Sequence, residues 1–250
     1  MNDWLDDLRT AVAFLTRLPM PHPAGPMPPN FVRAQRALPL VGAAIGGVVG
    51  VVCLALRAIG VPDLAAAALA LGASAMLTGA LHEDGLADVA DGFGGGRDRD
   101  SKLEIMRDSR LGTYGALILM VSFVTKLSAL AVLPDAVVVQ SLIAAHALAR
   151  GVLPVMSMKL TYARKDGLAA SAGRPDLATA VTAGAIALVI ALLSLPLLDA
   201  LLAALASCAV AAGMAVLAQR QIGGQTGDVL GCAEQLGETA ILVLLAARLV

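Results

Sequence analysis

The chain has 250 residues, of which 58% are hydrophobic and only 15% are charged, and its formal net charge is −1. A water-soluble fold of this length could not hide so much apolar surface, and a net charge near zero gives no general attraction to nucleic acid. These values exclude a soluble nucleic-acid-binding domain and indicate a protein embedded in a lipid bilayer.

The first segment, residues 1–19, predicts an amphipathic helix that lies in the membrane interface. Its opening Asp residues do not fit the basic start of a cleaved signal peptide, so no cleaved signal is expected. The Pro-rich character of residues 20–37 predicts a stiff linker to the first span. Alternatively, residues 1–19 form the first helix of a water-soluble cap on the membrane domain. The apolar residues at near-helical spacing are Trp4, Leu5, Leu8, Val12, Leu15 and Leu18.

Windows of about twenty residues with few charges, long enough to cross a hydrocarbon core of roughly 30 Å, recur along the rest of the chain. The last window is short and follows Glu234 and Glu238, so six spans are the alternative to seven. We therefore expect an all-α, polytopic integral membrane protein, 1–250 forming one catalytic domain and 38–250 its helical bundle. The predicted spans lie near 38–58, 64–82, 111–133, 137–158, 178–198, 200–218 and 236–250.

Basic residues set the expected topology, because Lys and Arg accumulate in cytoplasmic loops. With the N-terminus inside, seven spans leave only Arg57 and Arg248 on the opposite side. The loops near 83–110, 159–177 and 219–235 then face the cytoplasm from the inner membrane. Lys126 and Arg150 fall inside spans, where an unpaired cation is expensive, so each should find an internal ion pair or contact substrate.

A repeat of small residues marks the first span. Gly42, Gly46 and Gly50 are spaced by four, which is typical of close helix packing. The sequence leaves open whether this face packs within one subunit or between subunits of a homo-oligomer.

An acidic motif follows the second predicted span. Asp84, Asp88 and Asp91 stand at i, i+4 and i+7, so they share one face if the helix continues. Like charges at this spacing repel, and a hard cation such as Mg²⁺ relieves the repulsion. We predict a Mg²⁺ site formed by these three residues with Glu83 as an outer ligand, and a solvated acidic helix end is the alternative. His82 could orient a carboxylate or bind substrate, or be a hydrogen-bonded residue at the membrane border.

A second polar motif runs from Arg97 to Gly115 and mixes cations with acids. Such a pattern suits a polyphosphate ligand, because Arg grips phosphate oxygens and Lys supplies a mobile charge. Ordinary cytoplasmic basic residues are the alternative, favoured for Arg97 and Arg99. The candidate substrate-binding residues are Lys102, Glu104, Arg107 and Arg110.

The third motif, 223–228, precedes the last predicted helix. Gly224 would let the backbone approach a ligand, and Thr226 or Asp228 could cap the helix. If Asp228 faces Asp84, it adds an acid to the metal site or supplies a base. A capped Gly-rich turn without a ligand is the alternative.

With these motifs, the chain resembles the adenosylcobinamide-GDP ribazoletransferase family, also called cobalamin synthases or cobalamin-5′-phosphate synthases. Matching motifs occur in the same order from residue 14 to about 231, which is nearly the whole chain. The segments that carry the resemblance are Phe14–Pro19, Pro39–Gly42, Asp84–Gly92, Leu103–Gly115 and Thr226–Gly231.

The resemblance implies transfer of adenosylcobinamide phosphate from adenosylcobinamide-GDP to α-ribazole or α-ribazole 5′-phosphate, with release of GMP. It also implies that Asp228 is the first candidate for the base and Asp108 the second, and that partners could include other membrane enzymes of cobalamin synthesis. The acidic motif is similar to that of CDP-alcohol phosphotransferases, but Ala87-Asp88 stands where that family has an alanine-arginine pair. A phospholipid synthase of that type and a small-molecule or ion transporter are the alternatives, although a transporter should concentrate its charges near the midplane.

Overall fold

A computed structural model describes residues 3–20, 31–164 and 167–249, and within these ranges the chain is helical, with one isolated β-bridge and no β-sheet. A 3₁₀ turn at Gln35–Ala37 joins the second helix to the third. In chain order the helices are α1 (Asp3–Leu15), α2 (Phe31–Ala34), α3 (Leu38–Ala58), α4 (Asp63–Thr78), α5 (Leu81–Gly95), α6 (Arg99–Ile105), α7 (Thr113–Val132), α8 (Asp135–Gly151), α9 (Leu153–Lys159), α10 (Leu168–Ala172), α11 (Leu177–Ser194), α12 (Leu197–Ile222) and α13 (Gly227–Leu249).

The all-α, multi-pass membrane class is confirmed. The bent pair α4 and α5 adds a seventh candidate span to six straight ones. At 1.5 Å per residue α4 is about 24 Å long and covers most of a bilayer core, so α4 is the crossing part of this pair. The six other candidates are Phe31–Ala58, Thr113–Val132, Asp135–Lys159, Leu177–Ser194, Leu197–Ile222 and Gly227–Leu249.

The second predicted span, 64–82, does not continue into the acidic motif. Helix α4 ends at Thr78, and Gly79 and Ala80 both adopt left-handed backbone angles, with φ of 68° and 55°. The chain turns by 92° there, so α5 is a separate helix outside the straight spans. Asp84, Asp88 and Asp91 nevertheless keep their shared helical spacing, because all three lie on α5.

Two predicted boundaries are wrong. The first membrane helix begins at Phe31, so 31–37 belong to it and not to the linker, while 21–30 lie outside the described residues. The last helix begins at Gly227 instead of near 236, which places Glu234 and Glu238 inside the span. Hydropathy counts each of these acids as unfavourable in a span, because it does not register the partners on other helices that compensate their charges. The predicted window therefore began later than the helix does.

Helix α1 docks on the bundle through an acid. Asp7 is fully buried and pairs with Arg33 at 3.0 Å and with Arg36 at 2.8 Å. Trp4 and Leu5 are exposed. This arrangement fits a helix in the membrane interface, with its outer side toward lipid and Asp7 anchoring its inner side.

Helices α3 and α8 pack along the glycine repeat. A Cβ atom on Gly50 would lie 2.8 Å from the Cα of Val139, and one on Gly42 would lie 2.8 Å from Cδ of Arg150. The close-packing face predicted from the sequence is therefore used inside the subunit, and it is not free for contact between subunits.

Candidate active site

The acidic helix α5 crosses α13 at a close approach between Gly85 and Gly231. A Cβ atom on Gly85 would lie 2.9 Å from the carbonyl oxygen of Asp228, and one on Gly231 would lie 3.3 Å from the Cα of His82. This close approach places Asp84 and Asp228 on the wall of one cavity. The structure thus brings together the first and third sequence motifs.

The loop after α9 pairs with the turn before α13. Tyr162 and Gln225 form a parallel β-bridge, in which the amide of Gln225 donates to the carbonyl of Thr161 at 2.7 Å and the amide of Ala163 donates to the carbonyl of Gln225 at 2.9 Å. Gly224 packs directly against Thr161, so its lack of a side chain serves this contact.

This pairing carries Arg164 to the acidic site. Nη2 of Arg164 lies 3.2 Å from Oδ2 of Asp228, and the hydroxyl of Thr226 donates to the same oxygen at 3.1 Å. Thr226 also accepts a hydrogen bond from the amide of Val229, which confirms it as a helix cap. The position of Arg164 next to Asp228 depends on this loop pairing, which joins segments far apart in the sequence.

The carboxylates on this face of α5 repel one another. Asp88 is half-buried, and its pKa is raised to about 7 by that burial and by the neighbouring charges of Asp84, Asp228 and Asp91, against a smaller opposing effect of Arg164. A carboxylate in such surroundings gains from a bound cation. The hard oxygen donors and their excess negative charge fit Mg²⁺.

Asp91 has a structural contact in addition to its predicted ligand role. Its two carboxylate oxygens accept hydrogen bonds of 2.8 Å from the amides of Gly112 and Gly115 at the start of α7. A negative charge is favourable at a helix N-terminus. Asp91 therefore ties α7 to the acidic helix, and its part in metal binding stays a prediction.

Glu83 takes a different direction from Asp84. It lines a second cavity together with Lys126 and Gln235, and its negative charge attracts the ammonium group of Lys126. This placement favours a partnership with Lys126 over the predicted position as outer metal ligand, which stays untested.

A buried ion-pair network lies below the acidic site. Nη1 of Arg150 is 2.6 Å from Oε1 of Glu234, and Nδ1 of His82 is 3.1 Å from Oε2 of the same carboxylate. His82, Arg150 and Glu234 are at most 5% exposed. The network therefore links α5, α8 and α13, and it holds the start of the acidic helix in place.

The second cation in a span belongs to the same network. Nζ of Lys126 contacts Oε1 of Gln235 at 2.6 Å and Oε1 of Glu238 at 3.2 Å, and Nδ1 of His146 is 3.1 Å from Oε2 of Glu238. Two buried cations thus balance two buried carboxylates, and the expected internal ion pairs are observed. Both side chains are buried, although Lys126 borders the second cavity, and substrate contact by Lys126 or Arg150 stays a prediction.

The sequence analysis did not predict that three residues of this network lie together. His146, Glu234 and Glu238 bring their ligand atoms within 4.8 Å of one another. Because Arg150 and Lys126 already neutralise both carboxylates, this group is an ion-pair cluster and not a metal site. The available signal was the spacing of four between His146 and Arg150 and between the two acids.

The basic motif divides into anchoring and exposed residues. Lys102 donates to the side chain of Gln221, and Arg99 donates to the carbonyls of Ile222 and Ala163, so α6 is fastened to the end of α12 and to the loop after α9. For Lys102, this contact is an alternative to the predicted contact with substrate.

The exposed part of the motif contains Asp108, the second candidate for the base. Arg110 donates hydrogen bonds to Asp108 and lowers the pKa of that carboxyl to about 2, which makes it a weak proton acceptor. Glu104, Arg107 and Arg110 are exposed, and their binding of substrate stays a prediction.

Comparisons with known proteins agree with the motif pattern. The cobalamin-5-phosphate synthase family matches residues 7–246. An adenosylcobinamide-GDP ribazoletransferase of Bradyrhizobium diazoefficiens is 45% identical over 96% of this chain and 93% of its own length. Enzymes of the same name from Sinorhizobium sp and Rhizobium etli are 43% and 41% identical, over 98% and 100% of this chain and 98% and 99% of their own. No solved structure matches the chain.

Proposed function

This chain belongs to the cobalamin-5-phosphate synthase family, and we propose that it transfers adenosylcobinamide phosphate from adenosylcobinamide-GDP to α-ribazole or its 5′-phosphate. A ribose hydroxyl oxygen of the acceptor forms a bond to the phosphorus attached to the cobinamide arm. The bond from this phosphorus to the GMP oxygen breaks, the hydroxyl proton passes to a base, and GMP leaves. The reaction joins the nucleotide loop of cobalamin.

The observation that carries this proposal is the crossing of α5 and α13. It brings Asp84 of the acidic motif and Asp228 of the last motif to one cavity, although they are far apart in the sequence. Phosphoryl transfer needs charge neutralisation and a proton acceptor at the same place. The two motifs supply these two functions.

Each residue of the site has a role in this reaction. Asp84 and Asp88, with Asp91 behind them, would hold Mg²⁺, which when bound neutralises phosphate charge. Asp228 is the base for the acceptor hydroxyl, oriented by Thr226 and Arg164. Nη1 of Arg164 is buried and has no hydrogen-bond partner among the described residues, so it is free to donate to a phosphate oxygen of the donor.

The location of the site supports the expected topology. The acidic helix, the loop after α9 and the turn before α13 meet at one end of the bundle, where the basic motif is also anchored. By the charge rule this end faces the cytoplasm from the inner membrane.

GMP release by the purified protein in nanodiscs tests the proposal. We expect release only with adenosylcobinamide-GDP, a ribazole acceptor and Mg²⁺, and loss of release when EDTA removes the metal. Asp84→Asn and Asp88→Asn should each lower the rate by at least about 100-fold, as expected for loss of a charge-stabilising group. Asp100→Asn, a change at an exposed acid on α6 that has no assigned role in the site, is the control. CMP release from a CDP-lipid, without GMP release, would identify a phospholipid synthase instead.

A further inference from the structure

A partly enclosed cavity of about 110 Å³ adjoins the acidic site, between α1, α2, the start of α3, α5, α9, α13 and the end of α10 at Ala172. Apolar groups form most of its wall, and Asp84 and Asp228 stand on one side of it. The rings of Phe14 and Phe31 meet edge to face in this wall, with centroids 4.7 Å apart. We propose that this cavity binds the apolar, fused-ring base of the acceptor nucleoside, an inference that rests on the proposed function.

Size and chemistry favour a small aromatic group. An apolar cavity of roughly 150 Å³ lined by aliphatic and aromatic side chains holds benzene, so this smaller cavity of about 110 Å³ takes one ring of a planar, fused base, and the rest of the base lies in its open side. The corrin macrocycle is far larger than the cavity. The guanine of the donor carries several polar edge groups, which an apolar wall would leave without hydrogen-bond partners.

Position also favours the acceptor over the donor. A nucleoside whose base occupies the apolar wall directs its ribose toward the polar side, where Asp228 takes the hydroxyl proton in the proposed reaction. The base of α-ribazole, a dimethylbenzimidazole, has one unsubstituted ring nitrogen that accepts a hydrogen bond. Gln35 lines the cavity, and its amide uses one N–H for the carbonyl of Gly173, at 3.5 Å, which leaves a second N–H for that nitrogen.

Two-substrate kinetics of GMP release test this assignment. Ala172→Leu narrows the cavity and should raise the KM of α-ribazole by about tenfold or more, since one to a few methylene groups in an apolar pocket have effects of this size. The KM of adenosylcobinamide-GDP should stay within about twofold, because the donor does not enter the cavity. Ser171→Leu, the same enlargement at the neighbouring exposed residue, is the matched control and should change neither value.

A second variant makes the opposite change, so that the test does not depend on the folding of one protein. Phe14→Ala enlarges the cavity and should raise the efficiency with a naphthimidazole nucleoside relative to α-ribazole by about tenfold. In the wild type, the dimethylbenzimidazole nucleoside should be used at least about tenfold better than the adenine nucleoside, whose polar edge would lose its hydrogen bonds.

The outcomes separate this inference from the proposed function. If wild-type protein releases no GMP with any ribazole acceptor, the proposed function fails. If GMP is released but Ala172→Leu and Phe14→Ala, both folded, leave acceptor KM and base preference unchanged, the cavity does not bind the base. A rise in the donor KM alone would assign the cavity to the corrinoid substrate, and competition by lipid alone would assign it to an acyl chain. Either result overturns the inference.

Discussion

Neutralising Glu234 should destabilise the protein strongly, because its carboxylate compensates a cation that water cannot reach. Arg150 is 1% exposed and lies 2.6 Å from Glu234, whereas its distance to the other acid of the network, Glu238, is 3.7 Å. The Glu234→Gln change leaves the network with one excess positive charge. Removing one partner of a buried ion pair costs about 3–5 kcal/mol.

This cost converts into a large shift of the melting temperature. For a protein of this length 1 kcal/mol corresponds to about 2–4 °C, so the Tm should fall by roughly 6–20 °C. In a Cys208→Ala background, which removes the exposed thiol, a thiol-reactive fluorophore measures the transition, because Cys53 and Cys232 are buried in the folded protein and become accessible on unfolding. Unfolding from nanodiscs is treated as irreversible, so all variants are heated at one scan rate.

The double variant Arg150→Met with Glu234→Met distinguishes charge compensation from simple packing. It removes both charges together, and apolar replacement of a buried ion pair is often neutral or stabilising, so the Tm should recover most of the loss. Glu104→Gln on the exposed side of α6 should leave the Tm unchanged. A Tm of Glu234→Gln within about 2 °C of wild type would refute the reasoning, as would a double variant no more stable than the single one.

The remaining predictions concern the crossing, the base and the topology. Gly85→Ala places a Cβ atom 2.9 Å from the Asp228 carbonyl and should lower the rate of GMP release by at least about tenfold, whereas Gly72→Ala, with open space around it, should have no effect. If Asp228 is the base, Asp228→Asn should lower the single-turnover rate at every Mg²⁺ concentration. Recovery of the rate at high Mg²⁺ would identify Asp228 as a metal ligand instead. Full activity of the variant would remove Asp228 from the site. In a background lacking native cysteines, Asp100→Cys, Ser171→Cys and Arg220→Cys should react with an impermeant thiol reagent only after spheroplasts are permeabilised, and labelling from outside would contradict a shared cytoplasmic face.

The sequence predicted features that depend on neighbouring residues. The low charge content and the apolar windows predicted the membrane class and six or seven candidate spans, because the cost of crossing a bilayer is summed over about twenty consecutive residues. The spacing of Asp84, Asp88 and Asp91 predicted their shared helix correctly, although that helix is separate from the preceding span. The helix cap at Thr226 was also predictable from the sequence, since capping involves residues within one turn.

Tertiary structure decided the features that depend on distant residues. The left-handed turn at Gly79 and Ala80 directs α5 across α13, and this crossing brings Asp84 to Asp228. The bridge between Tyr162 and Gln225 adds Arg164 to the site.

The same division applies to the charges within the spans. Hydropathy marked Lys126 as costly, yet only the packing of α7 against α13 shows that Glu238 compensates it. Hydropathy placed the start of the last span too late for the same reason. A buried acid is tolerated when a partner compensates its charge, and hydropathy carries no information about partners on other helices. Hydrophobicity and helical spacing are local sums, and the sequence determines them alone. The partner of a buried charge and the meeting point of two helices are set by packing between segments far apart in the chain, where glycines such as Gly85 permit contact.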